Sequence, residues 1–225
     1  MAFATDEQRG NEKDRAHDAT IMHIDHLSDD DDVPSPIDLR LPADAHAWAR
    51  EAEIKRPHRE QLRALFAAHL GEAPRVLELG SGPGLLAEHL LRTCPIASYT
   101  LFDFSRPMLE LSRERIGAHP AATFVLGDFK QPGWAQRLAP PYDAIVAMQS
   151  IHELRHKRHL PALYREVHAL LAPGGQFLVC DHTPPPNANA LHASEAEQLA
   201  AMRSAGFTAT TIAVVETLYL IAATA

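Results

Sequence analysis

Val76-Leu77-Glu78-Leu79-Gly80-Ser81-Gly82-Pro83-Gly84 is an apolar run carrying one acid that stops in three alternate glycines. Its apolar half predicts a buried strand over 75–79. The glycines predict a turn where a ligand approaches the backbone too closely for any side chain. Pro83 suits the first turn of a following helix, where its missing N–H is no loss. A strand, a glycine loop and a helix in that order form a nucleotide-binding device, and the spacing selects the nucleotide. The dinucleotide fingerprint Gly-x-Gly-x-x-Gly sets small residues against a pyrophosphate at the helix N-terminus. Here the third glycine comes one residue early, and Leu85 stands where that pattern wants Gly. Glu78, two residues before the first glycine, would repel a pyrophosphate and welcome an ammonium or a sulfonium.

Four further strands follow in order. Tyr99-Thr100-Leu101-Phe102-Asp103 ends in an acid 23 positions beyond Gly80, where a ribose diol would be gripped by a carboxylate. Ser105-Arg106-Pro107-Met108-Leu109 opens the next helix. Thr123-Phe124-Val125-Leu126-Gly127-Asp128-Phe129 is a third strand ending in Gly-Asp-Phe, Tyr142 to Gln149 a fourth, and Leu171 to Asp181 a turn with the fifth. Taken with the acid-x-Gly-x-Gly-x-Gly loop, this series resembles the class I S-adenosylmethionine-dependent methyltransferases over about residues 50–225. The resemblance implies a Rossmann-like α/β fold, a seven-stranded mostly parallel sheet with a C-terminal antiparallel hairpin, and S-adenosyl-L-methionine as cofactor. Its implied cofactor-binding residues are Glu78, Gly80, Ser81, Gly82, Gly84, Asp103, Phe104, Met108, Asp128, Phe129 and Gln149. Within that set Glu78 would hold the methionine ammonium end indirectly and Asp103 the ribose. Met108 would lie against the adenine, while Asp128 and the Phe129 backbone would read its edge. Each residue also has an ordinary structural reading, since strand ends favour Asp and Met is a common core residue. The joint order carries the inference.

Composition bounds the rest. The chain has 225 residues and 46% apolar content, enough for one large core. No apolar run is long enough to span a bilayer, and residues 1–7 lack a basic region followed by an apolar stretch, so a cytoplasmic enzyme is expected. Cys94 and Cys180 are far apart and read as reduced thiols. Net charge is −8, and residues 1–34 carry ten acids against three bases, so the remainder is close to neutral. A neutral body with an acidic arm offers no footprint for nucleic acid.

Residues 1–43 read as a flexible acidic arm. Residues 44–72 read as a helical lid of one or two helices broken near Pro57, with Trp48, Ile54, Leu62, Leu65, Phe66 and Leu70 at helical spacing. Within 73–225 the periodicity predicts β at 75–79, α at 83–93, β at 98–103, α at 106–117, β at 122–126, β at 142–148, α at 155–171, β at 176–181 and α at 194–205. Two β-rich runs, 207–215 and 217–224, are too close for a helix between them and form the hairpin.

His152-Glu153-Leu154-Arg155-His156 matches the zinc-peptidase pattern His-Glu-x-x-His, which needs both imidazoles on one helical face. The segment follows directly on a strand, its neighbours Lys157, Arg158 and His159 are cationic, and no third ligand stands out, so no metal is expected. The loop after the fourth strand instead opens on the cleft at the carboxyl ends of the strands. Gln149, Ser150 and His152 are therefore site candidates, with His152 as a general base, since its unperturbed pKa lies near neutral. The alternative is that His152 only packs and caps there. His182 is a second candidate.

The Asn/Asp-Pro-Pro-aromatic and Pro-Cys motifs of nucleic-acid methyltransferases are absent, and the link over 182–193 leaves no room for an inserted substrate domain. A small-molecule acceptor, methylated on oxygen or nitrogen, is expected, with carbon methylation or a protein side chain as open alternatives. Two rivals are a nicotinamide-dependent oxidoreductase, disfavoured by Leu85, Glu78 and the hairpin, and a non-catalytic module that keeps the fold.

Overall fold

The computed structural model describes residues 31–52, 54, 59–185 and 190–225. Two helices come first, α1 (Pro42–Ala52) and α2 (Arg59–His69). Pro57, where a break was expected, lies outside the described residues, as does the arm up to residue 30. Strands and helices then alternate: β1 (Arg75–Leu79), α3 (Leu85–Thr93), β2 (Ser98–Asp103), α4 (Arg106–Ile116), β3 (Ala122–Leu126), β4 (Tyr142–Met148), α5 (Leu160–Leu170), β5 (Leu171–His182), α6 (Glu195–Ser204), β6 (Thr208–Val215) and β7 (Leu218–Thr224).

The seven strands form one sheet in the order β3-β2-β1-β4-β5-β7-β6. β1 to β5 run parallel, and β7 lies antiparallel to both β5 and β6. The expected fold class and hairpin are both present. Glu216 makes the hairpin turn with φ +52°. The winding reverses at β1, which has β2 on one side and β4 on the other. In open α/β sheets a crevice for ligands opens there, beyond the carboxyl ends of the strands.

Alternation along the strands builds a core on each face. Val76, Val146 and Leu178 face one side with Leu62 and Phe66 of α2 and Leu86 and Leu90 of α3. Leu77, Ile145 and Phe177 face the other with Tyr164 and Val167 of α5 and Met202 of α6. All of these are buried, each large side chain contributing about 1.5–3 kcal/mol on leaving water. Because both faces are covered, the inner strands read as near-continuous apolar runs.

Several element boundaries differ from expectation. The helix expected over 155–171 starts only at Leu160. Arg155 adopts φ +67° and His156 is extended, so one short 3₁₀ turn, Ile151–Leu154, ends just before the expected start and a second, Lys157–His159, takes the place of the first helical turn. The helix expected from 83 starts at Leu85, with Gly84 in the left-handed region as its N-cap. At α6 the Ser194/Glu197 capping box fixes the start one residue after expectation.

Residues 31–41, expected within the arm, are tied to the body at both ends. Arg155 donates through Nε to the Val33 carbonyl (2.7 Å) and through Nη2 to that of Pro34 (2.6 Å), while Val33 N–H donates to the Arg155 carbonyl (2.9 Å). Asp32 meets Arg158 at 2.7 Å and His159 at 2.8 Å. At the far end the Ser105 hydroxyl donates to the Leu39 carbonyl, and the Arg40 guanidinium lies 4.7 Å from the Phe104 ring centre. The segment thus crosses the sheet's carboxyl end and brings Ile37 and Leu39 to the crevice.

Candidate active site

The crevice encloses about 960 Å³, its open mouth included. One half is made by the loop from β1 to α3. Gly80, Gly82 and Gly84 all have positive φ, a conformation that L side chains reach only with strain. The N–H groups of Gly80 and Ser81 donate to the Phe102 carbonyl at 2.8 and 3.1 Å, fastening the loop to β2. A Cβ on Gly80 would stand 2.4 Å from the Ser150 Cβ, so this glycine admits the neighbouring loop. A Cβ on Gly82 would meet nothing within 4 Å, because that position faces the crevice. Gly84 instead turns to α4, where a Cβ would lie 3.2 Å from the Ser112 backbone.

Two buried carboxylates stand behind the loop. Asp103 accepts from Gly82 N–H at 2.7 Å and from Ser105 N–H at 2.8 Å, one bond to each oxygen, leaving lone pairs on both. Burial lifts its pKa to about 6 against the opposing pull of those two donors. Burial raises Glu78 to about 8; the Tyr99 hydroxyl, donating at 2.9 Å, pulls the other way, and the Asp103 charge adds to the rise. Glu78 is therefore mostly neutral at pH 7, and a cation placed beside it would draw its proton off. The Ser81 hydroxyl is buried and makes no hydrogen bond, a donor waiting in the wall. An open cradle at Gly82, a spare hydroxyl and two carboxylates fit a ligand with a sugar diol and an ammonium group.

The other half is built by side chains after β4 and β5. Gln149 has φ +56°, an uncommon conformation for its residue type. Arg59 of α2, buried in the wall, donates through Nε to Gln149 Oε1 at 2.6 Å. Because Arg is only a donor, this fixes the amide, whose Nε2 then donates to His182 Nε2 at 3.0 Å. His182 is left with its proton on Nδ1. His152 pairs through Nδ1 with Asp181 Oδ1 at 2.8 Å, and Asp181 Oδ2 accepts the His152 backbone N–H at 3.0 Å. Burial lowers the His152 pKa, but the Asp181 charge and hydrogen bond outweigh it, and the value ends above the ordinary one. Burial likewise opposes the ionised form of Asp181, but the His152 charge and the hydrogen bonds it receives hold its pKa below the usual range. With Nδ1–H on the carboxylate, a neutral His152 has its Nε2 lone pair available, 3.7 Å from Glu153 Oε1.

Of the residues expected from sequence, Glu78, Gly80, Ser81, Gly82, Asp103, Phe104, Met108, Phe129, Gln149 and His152 all line the crevice, and His182 joins them. Gly84 and Asp128 are not among the lining residues. Asp128 is engaged with Arg40 at 3.4 Å and with the Lys130 N–H at 3.0 Å. Sequence reasoning missed Arg59, Arg63 and Trp48, which α1 and α2 bring to the wall, and the role of Asp181. Asp181 had a signal, an acid ending the fifth strand; Arg59 had none, because only the docking of α2 places it. The His-Glu-x-x-His pattern does not form one helical face: His152 sits in a 3₁₀ turn, and His156 Nδ1 accepts the Arg158 N–H at 2.9 Å.

Residues 77–177 match a family model described as a methyltransferase domain. Trans-aconitate 2-methyltransferase of Paracidovorax citrulli is 35% identical over 130 residues, 57% of this chain and 45% of that protein. Malonyl-[acyl-carrier protein] O-methyltransferase of Halalkalibacterium halodurans is 34% identical over 77 residues, 34% of this chain and 28% of that protein. The chain thus spans less than half the length of either relative. Human N-acetylserotonin methyltransferase, solved in complex with SAM, superposes with a TM-score of 0.66 over 82% of this chain and 56% of its own; at 17% identity this speaks for the fold alone.

Proposed function

We propose, from the premise that this chain carries a class I S-adenosylmethionine-dependent methyltransferase domain, that it moves a methyl group from S-adenosyl-L-methionine to an oxygen or nitrogen of a small-molecule acceptor. The cofactor supplies an electrophilic methyl on a sulfonium. The observation that carries the reading is the two-part crevice, backbone and carboxylates on one side and a His–Asp pair on the other.

The chain's own residues then have separable tasks. Asp103 offers its remaining lone pairs to the ribose hydroxyls. Glu78, charged once an ammonium lies near, anchors the amino-acid end, and Met108 and Phe129 give an apolar bed for the base. Asp181 holds the His152 ring and stabilises its charged form, while Nε2 takes the proton from an acceptor hydroxyl or amine, the division of labour of a His–Asp pair. Ile37, Leu39 and Trp48 cover the crevice and exclude water.

A second reading of the acceptor has its own observation. Arg59 and Arg63 both line the wall, which suits an acceptor bearing a negative charge, and a carboxylate oxygen is nucleophilic without a base. Calorimetric titration with S-adenosylhomocysteine and with NADH tests the premise: the first should bind and the second should not, and binding of NADH alone would reverse the reading. A panel of phenols, amines and carboxylic acids, followed by S-adenosylhomocysteine release, then separates the acceptors. Loss of turnover in His152→Asn is expected for hydroxyl acceptors and not for carboxylates.

A further inference from the structure

Beyond β5 the chain returns at residues 190–194 to the His152–Asp181 pair, bringing His192. One donor atom each from His152, Asp181 and His192 lie within 4.8 Å of one another. The His152 and His192 ring centres are 5.1 Å apart, and His182 closes a triangle at 5.6 and 5.5 Å. His182 Nε2 is taken by Gln149, whereas His192 Nδ1 is buried with no hydrogen-bond partner. A buried polar atom left unpaired is costly, and such atoms in folded proteins point to a group that completes them.

We propose that His152, Asp181 and His192 hold a transition dication of the Zn²⁺ class. Two imidazoles and one carboxylate, with a fourth position open, are a donor set such ions take. Mg²⁺ and Ca²⁺ fit poorly, because they demand oxygen ligands. With bonds of about 2.0–2.1 Å, tetrahedral donors stand roughly 3.3 Å apart. The His152–Asp181 pair stands at 2.8 Å, and the wider separations close by rotation of side chains on the 190–194 loop. On binding, the dication takes the place of the proton between His152 Nδ1 and Asp181. That proton leaves to solvent while Nε2 takes one up, so the ring stays neutral. His152 then presents N–H to the crevice in place of a lone pair, and the ion silences the proposed base. This last consequence rests on the methyltransferase reading; the binding does not.

The test uses full-length protein freed of metal by a chelator, titrated with Zn²⁺, and with Co²⁺ followed by visible absorption. Wild type should bind one equivalent more than His192→Ala, or bind at least about tenfold tighter, since losing even an outer-shell partner costs roughly 10–100-fold. Co²⁺ should give the intense bands of a four-coordinate site in wild type and in His192→Asp, which keeps a ligand, but not in His192→Ala. His156→Ala should bind as wild type does, and millimolar Mg²⁺ should displace nothing. Equal stoichiometry, affinity and Co²⁺ spectra for wild type and His192→Ala would overturn the proposal. Zn²⁺ binding without S-adenosylhomocysteine binding would leave this site standing and bring down the methyltransferase reading instead.

Discussion

The two halves of the crevice are made from different materials. The half formed by the β1–α3 loop is mostly backbone, with glycines at fixed conformations, N–H groups tied to Phe102 and Asp103, and two carboxylates sealed behind them. The half beyond β4 and β5 is mostly side chain, with Arg59, Gln149, His182, His152 and Asp181 joined by hydrogen bonds. A backbone site tolerates few substitutions and can serve one invariant ligand. A side-chain site can be rewritten residue by residue.

Several substitutions should break or sharpen this contrast. The largest effect belongs to Gly80→Ala, which meets Ser150 at 2.4 Å in a left-handed conformation and damages both halves together. It should cost on the order of 3 kcal/mol or more in chemical denaturation. Gly82→Ala, with the same backbone conformation and open space, should cost only about 1–2 kcal/mol while still abolishing S-adenosylhomocysteine binding. Equal stability losses for the two would mean that contact with Ser150 is unimportant.

Next, His152→Asn should lower kcat for a hydroxyl acceptor by roughly 10²–10⁴-fold with S-adenosylhomocysteine affinity unchanged. In wild type that rate should fall as pH drops through the raised His152 pKa, because protonation removes the lone pair. A flat profile across neutrality would place the base elsewhere.

Glu78 gives a smaller effect with a clear sign. Its folded pKa of about 8 lies above the unfolded value near 4.5, so the folded state holds a proton that the unfolded state has lost. Its contribution to stability is full below about 4.5 and declines as pH rises through 8. Glu78→Gln should flatten that decline in denaturation curves. It should also abolish the proton released when a cationic ligand binds at pH 7, read by calorimetry in two buffers of different ionisation enthalpy. The smallest effect is expected for Arg40→Ala, whose ion pair with Asp128 is exposed on the Arg side and worth less than about 1 kcal/mol.

The backbone half was legible from sequence because its parts are local. Glu78 to Gly84 is one continuous stretch, and the strands around it show their burial as apolar runs. Gly84, expected at the cofactor, also packs against Ser112, 28 positions away in sequence, a contact that only the docking of α4 on the loop creates. The ion pair of Asp128 with Arg40 is equally hidden in the sequence, since Arg40 comes from a segment with no periodicity to announce it. In the side-chain half, His152 was visible as a loop residue after a strand, but its pairing depends on the parallel register of β4 with β5. The pattern at His152 and His156 misled because residue spacing implies a helical face only where a helix forms, and Arg155 prevents one.

Ser150 also donates its hydroxyl to the Leu79 carbonyl at 2.6 Å, so the loops after β1 and β4 are bolted together where Gly80 yields the space. The gap between the two halves of the crevice is thereby a fixed dimension of the scaffold, like the throat of a gauge. Under the proposed function, room for bulkier acceptors would then come from trimming Trp48 or Ile37 in the wall, because prying the two loops apart would break the contacts that join them.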